Sequence, residues 1–184
     1  MRLPFTTLIV INGKAGSGKD TFTSMCMEEL QKRNVPCCCI HRSDQYKMYL
    51  ESLGWDGEKT PEVRDVLKSL CQLGEIWGSN RDYLVNRIYT ERVINHANSD
   101  NLVVFYHDRD LDSIQELKSD RKVKHVTDEI DTVLVVRPDA ENLEPDSWYS
   151  KGMSPEGYER TINTNESLDN LRSQAVKLLK DLGV

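Results

Sequence analysis

Residues 8–21 read LIVINGKAGSGKDT, and this stretch decides which fold the chain adopts. Its first four residues form a continuous apolar run, which is typical of a buried parallel strand. The glycines that follow allow the backbone to turn its N–H groups inward around an anion. Beyond the loop, Phe22, Met25, Cys26 and Leu30 recur on one face of a helix. The stretch therefore predicts a strand, a phosphate-binding loop and a helix in direct succession.

The loop carries the groups that bind the phosphates of ATP. The helix N-terminus adds partial positive charge, and the amine of Lys19 can reach the β- and γ-phosphates and follow their charge during transfer. Asp20 stands where Ser or Thr usually places a hydroxyl on Mg²⁺. Its carboxylate can bind that ion directly or through water, and Thr21 supplies a hydroxyl one residue later; a glycine-rich turn without a ligand is the alternative. The predicted ATP-binding residues are Gly13, Ala15, Gly16, Ser17, Gly18, Lys19, Asp20 and Thr21.

Short β-rich runs alternate with helical periods along the rest of the chain. Strands are predicted at residues 8–11, 37–40, 102–106, 132–136 and 159–163, and helices at 60–71, at 80–95, shortly after 110 and near the C-terminus. This alternation predicts an α/β chain with a mainly parallel five-stranded sheet covered by helices on both faces. We expect one domain over 1–184 with the three-layer P-loop NTPase fold. It would contain an acceptor-binding helical segment at about 42–97 and a lid-like loop at about 138–158.

Two of these helices have a predicted apolar face. Thr60 is the expected N-cap of the first, with Pro61 at its first position. Its apolar face is expected to hold Val63, Val66, Leu67, Leu70 and Cys71, and the face of the 80–95 helix to hold Val85, Ile88, Tyr89 and Val93.

Composition narrows the classes of function. The chain has 184 residues and a net charge of −6, and an acidic surface repels nucleic acid and anionic membranes, so we expect neither as a stable partner. The N-terminal apolar run is too short to span a bilayer. The odd number of cysteines shows neither disulfide nor zinc spacing, which favours reduced thiols in a cytoplasmic protein. These cysteines are Cys26, Cys37, Cys38, Cys39 and Cys71.

The sequence GSGKDT at 16–21 resembles the P-loop of phage-type deoxynucleoside monophosphate kinases, and a GKD ending also occurs in animal-type phosphomevalonate kinases. Further segments resemble the phage and bacterial group of P-loop nucleotide kinase-like proteins in the same order along nearly the whole chain. These segments are SDQYK at 43–47, LGWDGEK at 53–59, VVFYHDRD at 103–110 and INTNESLDNL at 162–171. The resemblance implies ATP–Mg²⁺-dependent phosphoryl transfer to a nucleoside or deoxynucleoside monophosphate, in the host cytoplasm if a phage encodes the chain.

Four residues are the predicted catalytic set: Lys19, Asp108, Arg109 and Arg137. Asp108 follows an apolar strand at the sheet edge where ligands gather in open α/β sheets, so it joins Asp20 and Thr21 as a candidate Mg²⁺ group. Arg109 can hold an acceptor phosphate with two hydrogen bonds. Arg137 follows a strand end and opens the lid-like loop. For Asp108, Arg109 and Arg137, the alternative is a solvated side chain or a surface salt bridge.

The acceptor is expected to bind in the helical segment, where one or two cations would hold its phosphate. The candidates for contact with the acceptor are Arg42, Asp44, Lys47, Arg64 and Arg81. Asp44 would contact sugar or base, or act as a helix N-cap. The four histidines show no paired spacing, and no catalytic role is expected for them.

The predicted lid is poor in arginine, which kinase lids usually contain, although Trp148 and Tyr149 could cap a closed site. Two alternatives therefore stay open: another small-molecule P-loop kinase, phosphomevalonate kinase-like, or a non-catalytic nucleotide-binding regulatory protein. A GTPase is disfavoured because the chain has no N-K-x-D motif. The expected partners are small-molecule nucleotide substrates, and a homodimer is compatible with the sequence.

Overall fold

Five parallel strands form the centre of the molecule. The computed structural model describes residues 3–137, 154–165 and 167–184. The strands are β1 (Phe5–Asn12), β2 (Cys37–His41), β3 (Asn101–His107), β4 (Glu129–Val136) and β5 (Arg160–Asn163). Their order in the sheet is β2-β3-β1-β4-β5. The predicted parallel α/β sheet is confirmed, and β1 lies at its centre with its carboxyl end leading into the glycine-rich loop.

Helices connect β1 to β2, β2 to β3 and β3 to β4, and a further helix follows β5. They are α1 (Lys19–Lys32), α2 (Asp44–Ser52), α3 (Pro61–Ile76), α4 (Ser79–Tyr89), α5 (Leu111–Leu117), α6 (Arg121–Val126) and α7 (Leu168–Asp181). A π-helical turn at Thr90–Asn95 continues α4, and a 3-10 turn covers Pro155–Gly157. The oxygen of Thr60 accepts a hydrogen bond from the amide of Val63, as expected of an N-cap. No helix was predicted at α2, which has no buried residue in the structure.

The core lies on both faces of the sheet because alternate residues of a strand point to opposite sides. Ile9 and Ile11 of β1 pack in the cluster that contains the buried faces of α1 and α7. Leu8 and Val10 pack in the second cluster, which contains residues of α4, α5 and α6. The molecule therefore has three layers, and the expected apolar face of α1 is confirmed.

The faces predicted for α3 and α4 need correction. In α3 only Leu67 and Cys71 of the predicted set are buried, and Val66 is 46% exposed. In α4 the buried residues are Asn80, Leu84 and Ile88, so Ile88 of the predicted face is buried while Tyr89 is 51% exposed. Each helix therefore buries a narrower stripe than the predicted apolar face.

The cysteines are all free thiols, as expected, with Cys26 and Cys71 buried. No helix in the described ranges combines the length and the apolar character needed to cross a membrane. Residues 138–153 of the predicted lid, with Trp148 and Tyr149, lie outside the described residues.

Candidate nucleotide-binding site

The loop between β1 and α1 has the backbone shape of a phosphate cradle. Gly16 and Gly18 have positive φ angles of 74° and 85°, which glycine adopts without steric cost. A Cβ atom on Gly13 would lie 2.6 Å from the carbonyl oxygen of Val135, so a side chain is excluded there as well. Gly18 is the N-cap residue of α1 and brings no side chain to cover the first amides of the helix. These features leave the amino end of α1 open toward a ligand.

Lys19 lies at the mouth of this loop. Its side chain is largely buried, and its amine donates a hydrogen bond to the carbonyl oxygen of Lys14 at 3.1 Å. The amide of Ser17 donates to the same carbonyl at 3.2 Å. The cation is therefore placed next to the loop amides, as a phosphate-binding lysine has to be.

Residues distant in sequence hold the loop in place. The hydroxyl of Thr164, just after β5, donates a hydrogen bond to the carbonyl oxygen of Ser17 at 2.7 Å. Asn12 at the end of β1 accepts from the amide of Gly13 at 2.6 Å and donates to the hydroxyl of Tyr158. No role was predicted for Thr164, Asn12 or Tyr158; only tertiary contact relates Thr164 and Tyr158 to the loop, whereas Asn12 directly precedes it.

The residues present fit a triphosphate. The hydroxyl of Ser17 is buried and has no hydrogen-bond partner among the described residues, and such a group normally has one. A phosphate oxygen in the cradle would supply it. Asp20 and Thr21 are exposed in the first turn of α1, where a carboxylate and a hydroxyl fit Mg²⁺. Contact with His107, together with the charges of Lys19 and His41, outweighs burial and holds the pKa of Asp20 well below its usual range.

Asp108 lies beside the loop but is enclosed. Its amide donates to the carbonyl oxygen of Ile11 in β1 at 3.2 Å. One carboxylate oxygen accepts from Arg42 at 2.9 Å and from the amide of Asp110 at 3.0 Å. The other accepts from the hydroxyl of Ser113 at 3.1 Å. Both oxygens are thus engaged by the protein, and the part of Asp108 in binding Mg²⁺ stays a prediction.

Arg42 is the charged partner of Asp108. It is buried, and its guanidinium lies 2.9 Å from Asp108, 2.9 Å from Glu75 and 3.7 Å from Asp110. It also donates to the carbonyl oxygen of Cys71 at 3.2 Å. Burial favours a lower pKa for Arg42, but the charges of Asp108 and Glu75 outweigh it and raise the pKa. Arg42 therefore joins the end of β2 to α3 and to the residue after β3, instead of facing an open acceptor cleft.

Two further acceptor candidates are held by carboxylates. Arg81 contacts Glu116 at 2.6 Å and Asp120 at 3.1 Å. Lys47 contacts Asp44 at 2.6 Å, and the second oxygen of Asp44 accepts from the amide of His41 at 2.8 Å. These contacts tie the helices to the sheet and to one another.

The other three arginines of the predicted site differ in exposure. Arg64 is exposed on α3, Arg109 is half-buried after β3, and Arg137 is exposed after β4. The described structure does not bring the five acceptor candidates together around one open position; their roles stay predictions.

Two histidines, for which no role was expected, meet near the loop. His41 ends β2 and His107 ends β3, and their ring centroids are 4.5 Å apart. The Nε2 atom of His107 lies 2.9 Å from the hydroxyl of Thr23, and its Nδ1 atom lies 3.2 Å from a carboxylate oxygen of Asp20. Burial, with a contribution from His107, lowers the pKa of His41 to about 4. Each histidine directly follows a predicted strand, and this position is the sequence signal that could have found the pair. The spacing of the two residues along the chain does not reveal their contact.

No protein-family model and no curated protein matches this sequence. Solved structures do match over nearly the whole chain. The Mycobacterium tuberculosis APS kinase CysC in complex with AMPPNP and APS has a TM-score of 0.57 and 16% identity, with 96% of this chain and 99% of that chain covered. APE1195 has a TM-score of 0.52 and 14% identity, with 98% and 97% covered. A candidate kinase from Chloroflexus aurantiacus has a TM-score of 0.51 and 9% identity, with 98% of each chain covered. At these identities the likeness shows the fold, and this fold is the α/β P-loop fold that kinases use.

Proposed function

We propose that this protein transfers the γ-phosphoryl group of ATP to a small-molecule acceptor, with a nucleoside or deoxynucleoside monophosphate as the leading candidate. The observation that carries the proposal is the loop between β1 and α1. There Gly16 and Gly18 turn the backbone, α1 begins without a side-chain cap, and the Lys19 amine lies 3.1 Å from the Lys14 carbonyl.

Catalysis would come from positioning and charge. The loop amides and the amino end of α1 would hold the β- and γ-phosphates, and Lys19 would move with the transferred group. Asp20 and Thr21 would hold Mg²⁺, which when bound neutralises charge on the phosphate oxygens. Because an acceptor phosphate is already ionised at neutral pH, this reaction needs no strong general base.

The choice of a monophosphate acceptor rests on the resemblance of GSGKDT and the later segments to phage-type deoxynucleoside monophosphate kinases. Arg42 and Arg81 lie in the corresponding segment but hold carboxylates in this structure. Glu75 contacts both and is 27% exposed on its side chain. An acceptor phosphate could therefore replace Glu75 as the partner of these two guanidinium groups.

The same ion pairs support a second candidate, a kinase whose acceptor is a hydroxyl group. Such an acceptor needs no cluster of free cations, and the engaged state of Arg42, Lys47 and Arg81 suits it. It does need a group that receives a proton. The carboxylate of Asp108 is a buried candidate at the end of β3, paired with Arg42 in this structure.

A coupled ADP-release assay separates these functions. The panel would contain all common ribo- and deoxyribonucleoside monophosphates and a set of hydroxyl acceptors that includes APS. Phosphomevalonate would be added as a phosphate acceptor that is not a nucleotide. We expect turnover with at least one nucleoside monophosphate, and a loss of roughly 10²–10³-fold in Lys19→Met, as for removal of a transition-state donor.

Lys32→Met is the matched control, because Lys32 lies at the far end of α1, is exposed and pairs with Glu29 at 3.3 Å. Turnover restricted to hydroxyl acceptors would replace the first candidate by the second. ATP binding without product from any acceptor would contradict both and favour a nucleotide-binding regulatory protein.

A further inference from the structure

Cys39, His41 and His107 form a compact cluster beside the amino end of α1. Their sulfur and one ring nitrogen of each histidine lie within 4.8 Å of one another. Cys39 and His41 are two residues apart on β2, so their side chains point to the same face. His107 is the residue of β3 aligned with His41 in the parallel register. We propose that these three side chains bind a divalent transition-metal ion of the zinc type.

The donor atoms and their distances fit this class of ion. Zinc binds cysteine sulfur at about 2.3 Å and histidine nitrogen at about 2.0–2.1 Å, with tetrahedral geometry. Two such ligand atoms therefore lie roughly 3.4–3.6 Å apart. The sulfur of Cys39 is 3.7 Å from Nε2 of His41, and the ligand atom of His107 lies within 4.8 Å of both. One sulfur and two nitrogens select zinc or cobalt over magnesium and calcium, which prefer oxygen.

His107 supplies an independent observation. The residue is only 6% exposed, and its Nδ1 atom is buried without a hydrogen-bond partner among the described residues. Its other nitrogen, Nε2, is held 2.9 Å from the hydroxyl of Thr23. Donation from Nε2–H to Thr23 leaves the Nδ1 lone pair for a metal, which is how histidine ligands are commonly oriented.

The fourth coordination position faces Asp20. A carboxylate oxygen of Asp20 lies 3.2 Å from Nδ1 of His107, although out of line for a hydrogen bond. The side chain of Asp20 is 77% exposed and free to rotate toward the ion or to leave the position to water. With Asp20 as fourth ligand, a metal here would tie the ends of β2 and β3 to the first turn of α1. When Asp20 binds the Mg²⁺ of a nucleotide, water would take this fourth position.

Binding releases a proton from Cys39. The Cys39 thiol loses its proton when the sulfur forms the bond to the metal, and the proton passes to the buffer.

The test is titration of the chelator-treated full chain with Co²⁺, without nucleotide, monitored by absorption. We expect one Co²⁺ per chain, a thiolate-to-cobalt charge-transfer band, and displacement of that band by Zn²⁺. Cys39→Ala should abolish the band and weaken Zn²⁺ binding by at least about 100-fold, the upper range found for residues that only support a ligand.

Cys38→Ala is the matched control. Cys38 is the adjacent thiol on β2 but packs on the opposite face of the sheet, against the second core cluster. This variant should keep both the band and the affinity. Cys39→Ser and His107→Gln repeat the test with shapes closer to the native residues, should Cys39→Ala fail to fold.

The site is refuted if the wild type gives no thiolate band, if the band persists without Cys39, or if Cys38→Ala loses it equally. If His107 and Asp20 only form an ion pair, the wild type gives no thiolate band. Because the titration contains no nucleotide, its outcome is independent of the proposed phosphoryl transfer.

Discussion

At the scale of single residues, carboxylates engage most cations of the predicted acceptor segment. Asp120 is an example, since it serves two partners at once. It caps α6 by accepting from the amides of Lys122 and Val123 at 2.8 and 3.0 Å, and it pairs with Arg81 at 3.1 Å. The charge of Arg81 is therefore balanced by a residue that also starts a helix.

Acid should destabilise the protein partly through Asp120. Burial works to raise its pKa, but the two amides and Arg81 outweigh it and lower the pKa. A carboxyl group with a lowered pKa contributes stability above its unfolded value of about 3.9, and this contribution disappears as the pH falls through the folded pKa. Asp120→Asn keeps the N-cap acceptor and should reduce the loss of stability below about pH 4.

The measurement is urea unfolding across the acid range, for wild type, Asp120→Asn and the control Asp112→Asn, an exposed residue of α5. The control should follow the wild-type curve. Equal pH dependence in wild type and Asp120→Asn would contradict the linkage.

At the scale of elements, one buried cation joins β2, α3 and the segment after β3. Arg42 contacts Asp108 and Glu75 at 2.9 Å each, and the Asp108 side chain is fully buried. Such a pair adds little to stability when compared with an apolar replacement of both partners. Removal of one partner, however, leaves a buried charge without compensation.

Arg42→Met should therefore lower the free energy of unfolding by about 3–5 kcal/mol. The matched control is Arg87→Met, because Arg87 is 44% exposed and pairs with Glu91 at 3.4 Å within one helical stretch. A surface pair of that kind is worth about 0.5 kcal/mol or less. Chemical denaturation measures the free energy of unfolding of both variants. Equal losses would show that Arg42 does not stabilise the contact between β2, α3 and the segment after β3.

At the scale of the whole molecule, the loop joins elements from both ends of the chain. Thr164 holds Ser17, and α7 packs on α1 in the same core cluster. A ligand in the loop would therefore stabilise the entire fold rather than one helix.

ATP with Mg²⁺ at 100 times its dissociation constant should stabilise the protein by about 2.7 kcal/mol. For a chain of this size, that corresponds to an increase in Tm of roughly 5–10 °C. Thermal unfolding with increasing ATP measures the shift, and Lys19→Met should show a smaller one. An unchanged Tm of the wild type at millimolar ATP and Mg²⁺ would contradict the phosphate-binding role of the loop.

The sequence by itself determined the strand–loop–helix unit, the parallel α/β sheet and the apolar face of α1. The strand–loop–helix unit and the apolar face depend on neighbours in the chain, because the period of apolar residues and the placement of glycine are local properties. The same reasoning predicts that Lys19 and the loop glycines form a phosphate cradle. The parallel sheet is predicted from the alternation of strands and helices along the chain.

Only the tertiary structure decided which charges meet and which faces are covered. Arg42 and Asp108 are distant in sequence, and their ion pair exists because β2 and β3 are neighbours in the sheet. The meeting of Cys39, His41 and His107 has the same cause. Pairing between strands has no sequence period of its own, so the ion pairs and the thiol–imidazole cluster follow from strand order and register.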